Sequence, residues 1–126
     1  MTVVQRFFFN LTCENLERSV AFYTRLLSLK VHFESDWFVI LKPNGDSLFE
    51  LGLIDKTHDV VPPGMADRHA GFYPTFVVDD IEPVHSAACE IGAHIVEAPR
   101  LMFYGQTRML VRDPDGVVVD ISAITR

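Results

Sequence analysis

Hydrophobic and polar positions along the chain fall into a pattern that occurs twice. Gln5 to Thr12, with Phe7, Phe8 and Phe9 in its middle, reads as a strand too apolar to leave one face wet, so a helix is expected over one face and a pocket or partner subunit over the other. Glu14 to Leu27 follows as a helix, with Asn15 as its N-cap and Leu16, Val20, Tyr23 and Leu27 recurring at helical spacing as its buried stripe. Leu29 to Glu34, Trp37 to Leu41 and Ser47 to Leu51 read as three strands, separated by turns at Ser35-Asp36 and Pro43-Asn44-Gly45-Asp46. From Gly52 to Arg68 the character changes to a polar, Pro-Gly-containing stretch that reads as a linker or lid-like loop. The pattern then restarts: strand Gly71 to Val78, helix Ile81 to Ile91, and strands Ala93 to Val96, Gln106 to Val111 and Val117 to Ser122. Asp113-Pro114-Asp115-Gly116 marks the last hairpin turn.

The restart is an internal repeat. Asn15-Leu16-Glu17 aligns with Asp80-Ile81-Glu82 at an offset of 65, which also carries Phe8 onto Tyr73, Ala21 onto Ser86 and Leu26 onto Ile91. Each half reads strand, helix, three strands, and half a chain of this kind cannot cover its own sheet. The expectation is one α+β domain of two βαβββ modules, residues 5–52 and 70–124 with 53–69 between them, making a curved sheet with helices outside and a concave groove within.

Composition narrows the function classes. The chain has 126 residues, 48% of them apolar, and a formal net charge of -6; its pI is about 5.2. An acidic surface repels phosphate backbones, which argues against nucleic acid as a partner. No apolar run is long enough to span a bilayer, and no signal-peptide pattern opens the chain, so a cytoplasmic location without membrane attachment is the expectation. Cys13 and Cys89 form no motif and read as reduced thiols.

Several stretches carry a family resemblance. Asn15-Leu16-Glu17-Arg18-Ser19-Val20-Ala21-Phe22-Tyr23 resembles the opening helix pattern DLERSxxFY of the vicinal-oxygen-chelate superfamily, the group of glyoxalase I, extradiol dioxygenases, fosfomycin-resistance enzymes and bleomycin-resistance proteins. Leu27-Ser28-Leu29-Lys30-Val31 is similar to LGLxV with Ser28 in place of Gly, and Val77-Val78-Asp79-Asp80-Ile81 opens the second helix as the family does. Tyr104-Gly105-Gln106-Thr107-Arg108, followed by Arg112-Asp113-Pro114-Asp115-Gly116, resembles WGQRR and RDPDG. The resemblance implies the paired βαβββ fold, and in metal-dependent members one ligand on the first and one on the last strand of each half. Those positions fall on Phe8 and Tyr73, and on Glu50 and Asp120.

Phe8 has no lone pair to donate, and Tyr73 is an uncommon ligand, which leaves two carboxylates where a catalytic zinc takes about three protein donors. No metal and no cofactor is therefore expected. His32, His58, His69, His85 and His94 form no HxH or HxxxH pair and read as exposed or locally bonded. The inward positions Phe8, Glu50, Tyr73 and Asp120, joined by Trp37, Phe38, Phe103, Tyr104 and Arg108, would make an aromatic cleft with a few polar groups. Such a cleft suits a small aromatic or cationic ligand. Taken one by one, Phe8 and Trp37 read more readily as core, interface or rim packing than as ligand contacts, and Arg108 reads also as a salt-bridge partner for one of the acids.

Two functional classes follow. One is a metal-free binding protein that sequesters a small molecule, as the bleomycin-resistance branch does; resemblance to that branch implies a homodimer. The other is a metal-dependent lyase, isomerase or dioxygenase of the same fold. An accessory domain that binds another protein is a third class.

Overall fold

The structure is a computed structural model that describes residues 1–45 and 49–124. The described residues form two compact units, 1–68 and 69–126 less the last two residues. Each contains one helix and one four-stranded mixed sheet, the α+β architecture of the βαβββ repeat. No helix among the described residues is long and apolar enough to cross a membrane.

The first unit runs β1 (Phe9–Cys13), α1 (Leu16–Leu27), β2 (Lys30–Glu34), β3 (Phe38–Lys42) and β4 (Leu51–Asp55), with strand order β1-β4-β3-β2. β1 and β4 pair in parallel from Phe9 opposite Leu51 to Cys13 opposite Asp55. Alternation sends Leu11, Cys13, Val39, Leu41, Leu51 and Leu53, all buried, to one face, against which α1 packs. Asn15 caps α1 by accepting from the Arg18 amide at 3.0 Å.

The expected elements are present with shifted bounds. β1 starts at Phe9 rather than Gln5, where its ladder with β4 begins opposite Leu51. The strand expected from Ser47 begins at Leu51; residues 46–48, including its expected start and the end of the preceding turn, lie outside the described residues. β4 runs through Gly52 to Asp55, where the sequence suggested a linker. Gly52 does not break the strand: the Asn10 side chain lies over it, where a Cβ would stand. A strand glycine of this kind marks a close approach. The rest of the expected linker folds back on its own unit, through Lys56–Asp67 at 2.8 Å and Thr12 Oγ1 donating to the Met65 and Ala66 carbonyls. The buried stripe of α1 is also rotated: Ser19, Phe22, Tyr23 and Leu26 are buried, whereas Leu16, Val20 and Leu27 flank them half-buried. Ser19 is small enough to let the helix sit close to the sheet.

The second unit repeats the plan with β5 (Thr75–Val77), α2 (Ile81–Glu90), β6 (His94–Leu101), β7 (Gln106–Arg112) and β8 (Val118–Ile124), in order β5-β8-β7-β6. Asp80 caps α2 by accepting from the Glu82 amide at 3.1 Å. Met109, Val111, Val119, Ile121 and Ala123 are buried on the face that meets α2. β6 extends past the expected end at Val96 and through Pro99. It is an edge strand with register shifts on either side of Glu97, where a missing amide donor is tolerated. In the β7–β8 turn, Asp113 Oδ1 accepts from the Asp115 and Val117 amides, and Gly116 takes φ 87°.

Two expectations for stability follow. Ser28, at the C-cap of α1, holds φ 56°, a left-handed conformation that favours glycine. Ser28→Gly should raise stability by roughly 0.5–1 kcal/mol in chemical denaturation. Gly52→Ala should lower it by about 1 kcal/mol, with part recovered in the Asn10→Ala background; the Phe38 ring and Phe9 carbonyl remain tight, at 3.2 Å.

Candidate functional site

In each unit the helix covers one sheet face and leaves the opposite face to carry chemistry. In the first unit that open face holds an aromatic group. Phe38, from β3, lies 6.1 Å from both Phe8 and Phe33 between ring centroids, and Phe33 stands opposite Ile40 in the β2–β3 ladder. Phe33 is exposed, and Phe8 and Phe38 are half-buried. The Arg6 guanidinium lies over the Phe8 ring at 4.9 Å, a cation–π arrangement.

Glu50, one residue before β4, is held by the same arginine. Arg6 donates from Nε to Oε2 at 2.8 Å and from Nη2 to Oε1 at 2.5 Å. This is a bidentate fork. The Glu50 side chain is 7% exposed and that of Arg6 52%. The pair therefore sits at the edge of the aromatic group with its acid covered. The Arg6 hydrogen bonds hold the Glu50 carboxyl below its ordinary value against the opposing effect of burial, and the positive charge of Arg6, Lys42 and His32 adds to this.

Trp37 meets the aromatic group through Phe38 and reaches from there to the turn after β4. Its ring stacks on His58 at 3.9 Å and 12°, and on Phe38 at 5.7 Å. His58 Nδ1 in turn accepts from the Val60 amide at 3.1 Å. The tryptophan anchors the turn that follows β4.

The open face of the second unit is polar. Asp120, buried in the middle of β8, accepts from Thr75 Oγ1 at 2.9 Å and from Ser122 Oγ at 3.1 Å, so both carboxylate oxygens are engaged. Arg108, on β7 opposite Ser122, donates from Nη2 to Glu97 Oε1 at 3.1 Å, and Arg100 reaches the same carboxylate at 3.4 Å. The Arg108 hydrogen bond holds Glu97 below its ordinary value and pushes the guanidinium further above its own. Tyr73 is exposed and lies two residues before β5. Phe103 and Tyr104 form an edge-to-face pair, 5.1 Å between centroids, in the β6–β7 turn, and Phe103 is almost wholly exposed.

The strand registers separate the two units. Thr75 stands opposite Asp120, whereas its repeat mate Asn10 stands opposite Gly52. Where the second unit has a hydroxyl–carboxylate pair, the first has an amide side chain over a glycine. Glu50 and Asp120 are thus not equivalent in ladder position.

Sequence reasoning missed Arg6 and Glu97 as the partners of Glu50 and Arg108. Arg6 could have been noticed as the single charged residue among the first ten, two positions before Phe8 and so on the same side of an extended chain. Glu97 gave no comparable signal, because it lies in the irregular part of an edge strand.

Phe8 has no donor atom, Glu50 has both oxygens on Arg6, and Asp120 has both on hydroxyls. Among the described residues no group of three or more His, Cys, Asp or Glu comes together to hold an ion, where about three protein donors would be needed.

The sequence model of the Glyoxalase/Bleomycin resistance protein/Dioxygenase superfamily matches residues 6–121. The fold is similar to that of a solved glyoxalase/bleomycin resistance protein/dioxygenase family enzyme from Burkholderia phytofirmans PsJN (TM-score 0.76, 19% identity, 93% of this chain and 96% of that one). It is likewise similar to a member of the same superfamily from Sphaerobacter thermophilus DSM 20745 (TM-score 0.74, 19% identity, 96% and 98%), and to a virulence protein from Salmonella typhimurium (TM-score 0.73, 21% identity, 99% and 100%). No curated protein matches the chain.

The ion pairs set an acid dependence. Glu50 and Glu97 titrate below the ordinary carboxylate value of 4.5 in the folded protein. Their contribution to stability is present above that value and is lost as pH falls through the depressed folded values. The melting temperature should drop in that acid range, and less so in Glu50→Gln and Glu97→Gln, as read by calorimetric scans over a pH series.

Proposed function

The chain belongs to the glyoxalase/bleomycin resistance protein/dioxygenase superfamily, and from that premise we propose that it is a metal-free binding protein for a small planar aromatic molecule, of the resistance or sequestration type. The observation that carries this reading is the Phe8–Phe33–Phe38 group on the helix-free face of the first unit, with Arg6 and Glu50 locked together at its edge. Flat apolar rings with one charged pair beside them are the usual make-up of a site that binds by stacking and burial. Both carboxylates that would have drawn a cation already have partners, so the aromatic part of the ligand description has the stronger support. Association of two chains is part of the same reading, carried over from the superfamily.

The test is a titration of isotope-labelled protein with planar aromatic compounds, followed by backbone amide shifts. Compounds should perturb the amides of Phe8, Phe33 and Phe38. Phe38→Ala should weaken binding about tenfold, equivalent to roughly 1.4 kcal/mol. Zinc, manganese and nickel, titrated calorimetrically, should give no stoichiometric uptake; stoichiometric uptake abolished by Glu50→Gln or Asp120→Asn would overturn the reading in favour of a metal-dependent enzyme.

A further inference from the structure

The helix-bearing side of the first unit holds a cavity that the aromatic face does not use. It lies between α1 and the β2–β3 turn and has a volume of about 650 Å3, within the roughly 300–1,000 Å3 of small-molecule sites. Val39, which lines it, and Phe38 of the aromatic group are neighbours on one strand and so point to opposite faces of the sheet. The cavity and the Phe8 group are therefore separate places on the same unit.

Two properties of the lining specify a ligand. The first is apolar surface left uncovered. Leu16 and Val20 belong to the apolar spacing of α1 yet stay half-buried, because they face this cavity beside the buried Val39. A hydrocarbon body laid along them would take apolar surface out of water. The second is charge. The lining carries three carboxylates, Glu17, Glu34 and Asp36, and no Lys or Arg. Among the described residues, none of the three has a side-chain ion pair or hydrogen bond. Unlike Glu50, Glu97 and Asp120, they are left to meet a cation.

Helix polarity gives the ligand a direction. Glu17 lies in the first turn of α1, where the partial positive charge of the helix end offsets it. Glu34 and Asp36 lie on the opposite wall, away from that compensation, so the cation belongs beside them. Ser35 between them holds the turn: its Oγ accepts from the Phe38 amide at 3.0 Å and donates to the Phe38 carbonyl at 3.1 Å. Both acids thus stand on a backbone already ordered, which lowers the cost of binding.

We propose that this cavity is a second ligand site, for an organic ammonium ion whose charged nitrogen sits beside Glu34 and Asp36 and whose apolar body lies along Leu16, Val20 and Val39. It stands independently of the aromatic-ligand reading, since it uses the other face of the sheet.

Hexylammonium is titrated into isotope-labelled protein, in parallel with hexanol, hexanoate and ammonium, at matched ionic strength. Hexylammonium should move the backbone amides of Val20, Ala21 and Asp36 saturably. Hexanol has the body without the charge and ammonium the charge without the body, so each should bind at least about tenfold more weakly; hexanoate should not bind. Glu34→Gln combined with Asp36→Asn should weaken hexylammonium about tenfold and leave hexanol unchanged. Ala21→Phe, which fills the cavity and keeps the acids, should abolish the saturable response while the amides of the second unit stay in place. A response to ammonium equal to that for hexylammonium would make this a general acidic surface, and hexanol binding as tightly as hexylammonium would leave the acids no role; either result overturns the proposal. So does hexylammonium that moves the Phe8 and Phe33 amides alone. Aromatic compounds that move Phe8 and Phe33 but not Val20 or Ala21 support the aromatic-ligand reading whichever way the ammonium titration falls.

Discussion

The parallel pairing of first strand with last, β1 with β4 and β5 with β8, is the constraint from which the site chemistry of each unit follows. It brings residues more than forty positions apart side by side: Arg6 beside Glu50, and Thr75 beside Asp120. Parallel neighbours need a crossover, and here the crossover is the helix. The helix must cover one face of the sheet, because that face carries the leucines, valines and isoleucines of the core. Whatever the opposite face carries is then left over from folding, and that is where the two halves differ.

The halves share a plan but have specialised in different directions. One open face is a set of phenylalanine rings with one ion pair; the other is a network of carboxylates, hydroxyls and guanidinium groups. The register explains how this arose without loss of the fold. Opposite Asn10 there is a glycine, and the amide side chain fills the space above it. Opposite Thr75 there is an aspartate, which the hydroxyls of Thr75 and Ser122 keep satisfied although it is buried. A buried carboxylate without such donors would be strongly unfavourable.

The repeat, the Asn15 N-cap, the element order and the β7–β8 turn were legible in the sequence, because each rests on local chemistry: Asn15 before an apolar run, Asp113 and Gly116 around a turn. What was not legible depended on neighbours distant in sequence. Gly52 looks like a terminator until Asn10 is seen above it. Pro99 looks like the end of a strand until β6 is known to be an edge. The buried row of α1 turned by about one position, because Ser19 faces the sheet and lets the helix approach. For the site, the residue types at Phe8, Glu50, Arg108 and Asp120 could be read off, but their partners could not, since partner choice is set by strand register.

Partner choice is also what changes the chemistry. Two carboxylates, at the positions that the resemblance implies for last-strand ligands, suggest in isolation attraction for a cation. Arg6 reverses that inference for Glu50. A guanidinium fork engages both oxygens and lowers the acid's proton affinity, so Glu50 is poorly suited to act as a general base near neutral pH. Yet the arginine remains half exposed and lies against Phe8. The acid thus serves to hold a cation flat on an aromatic ring. In the second unit Glu97 likewise holds an arginine, Arg108, through a hydrogen bond from Nη2. In both, the carboxylate fixes a guanidinium by hydrogen bonds and is itself committed by them, so what each acid contributes is the orientation of its arginine.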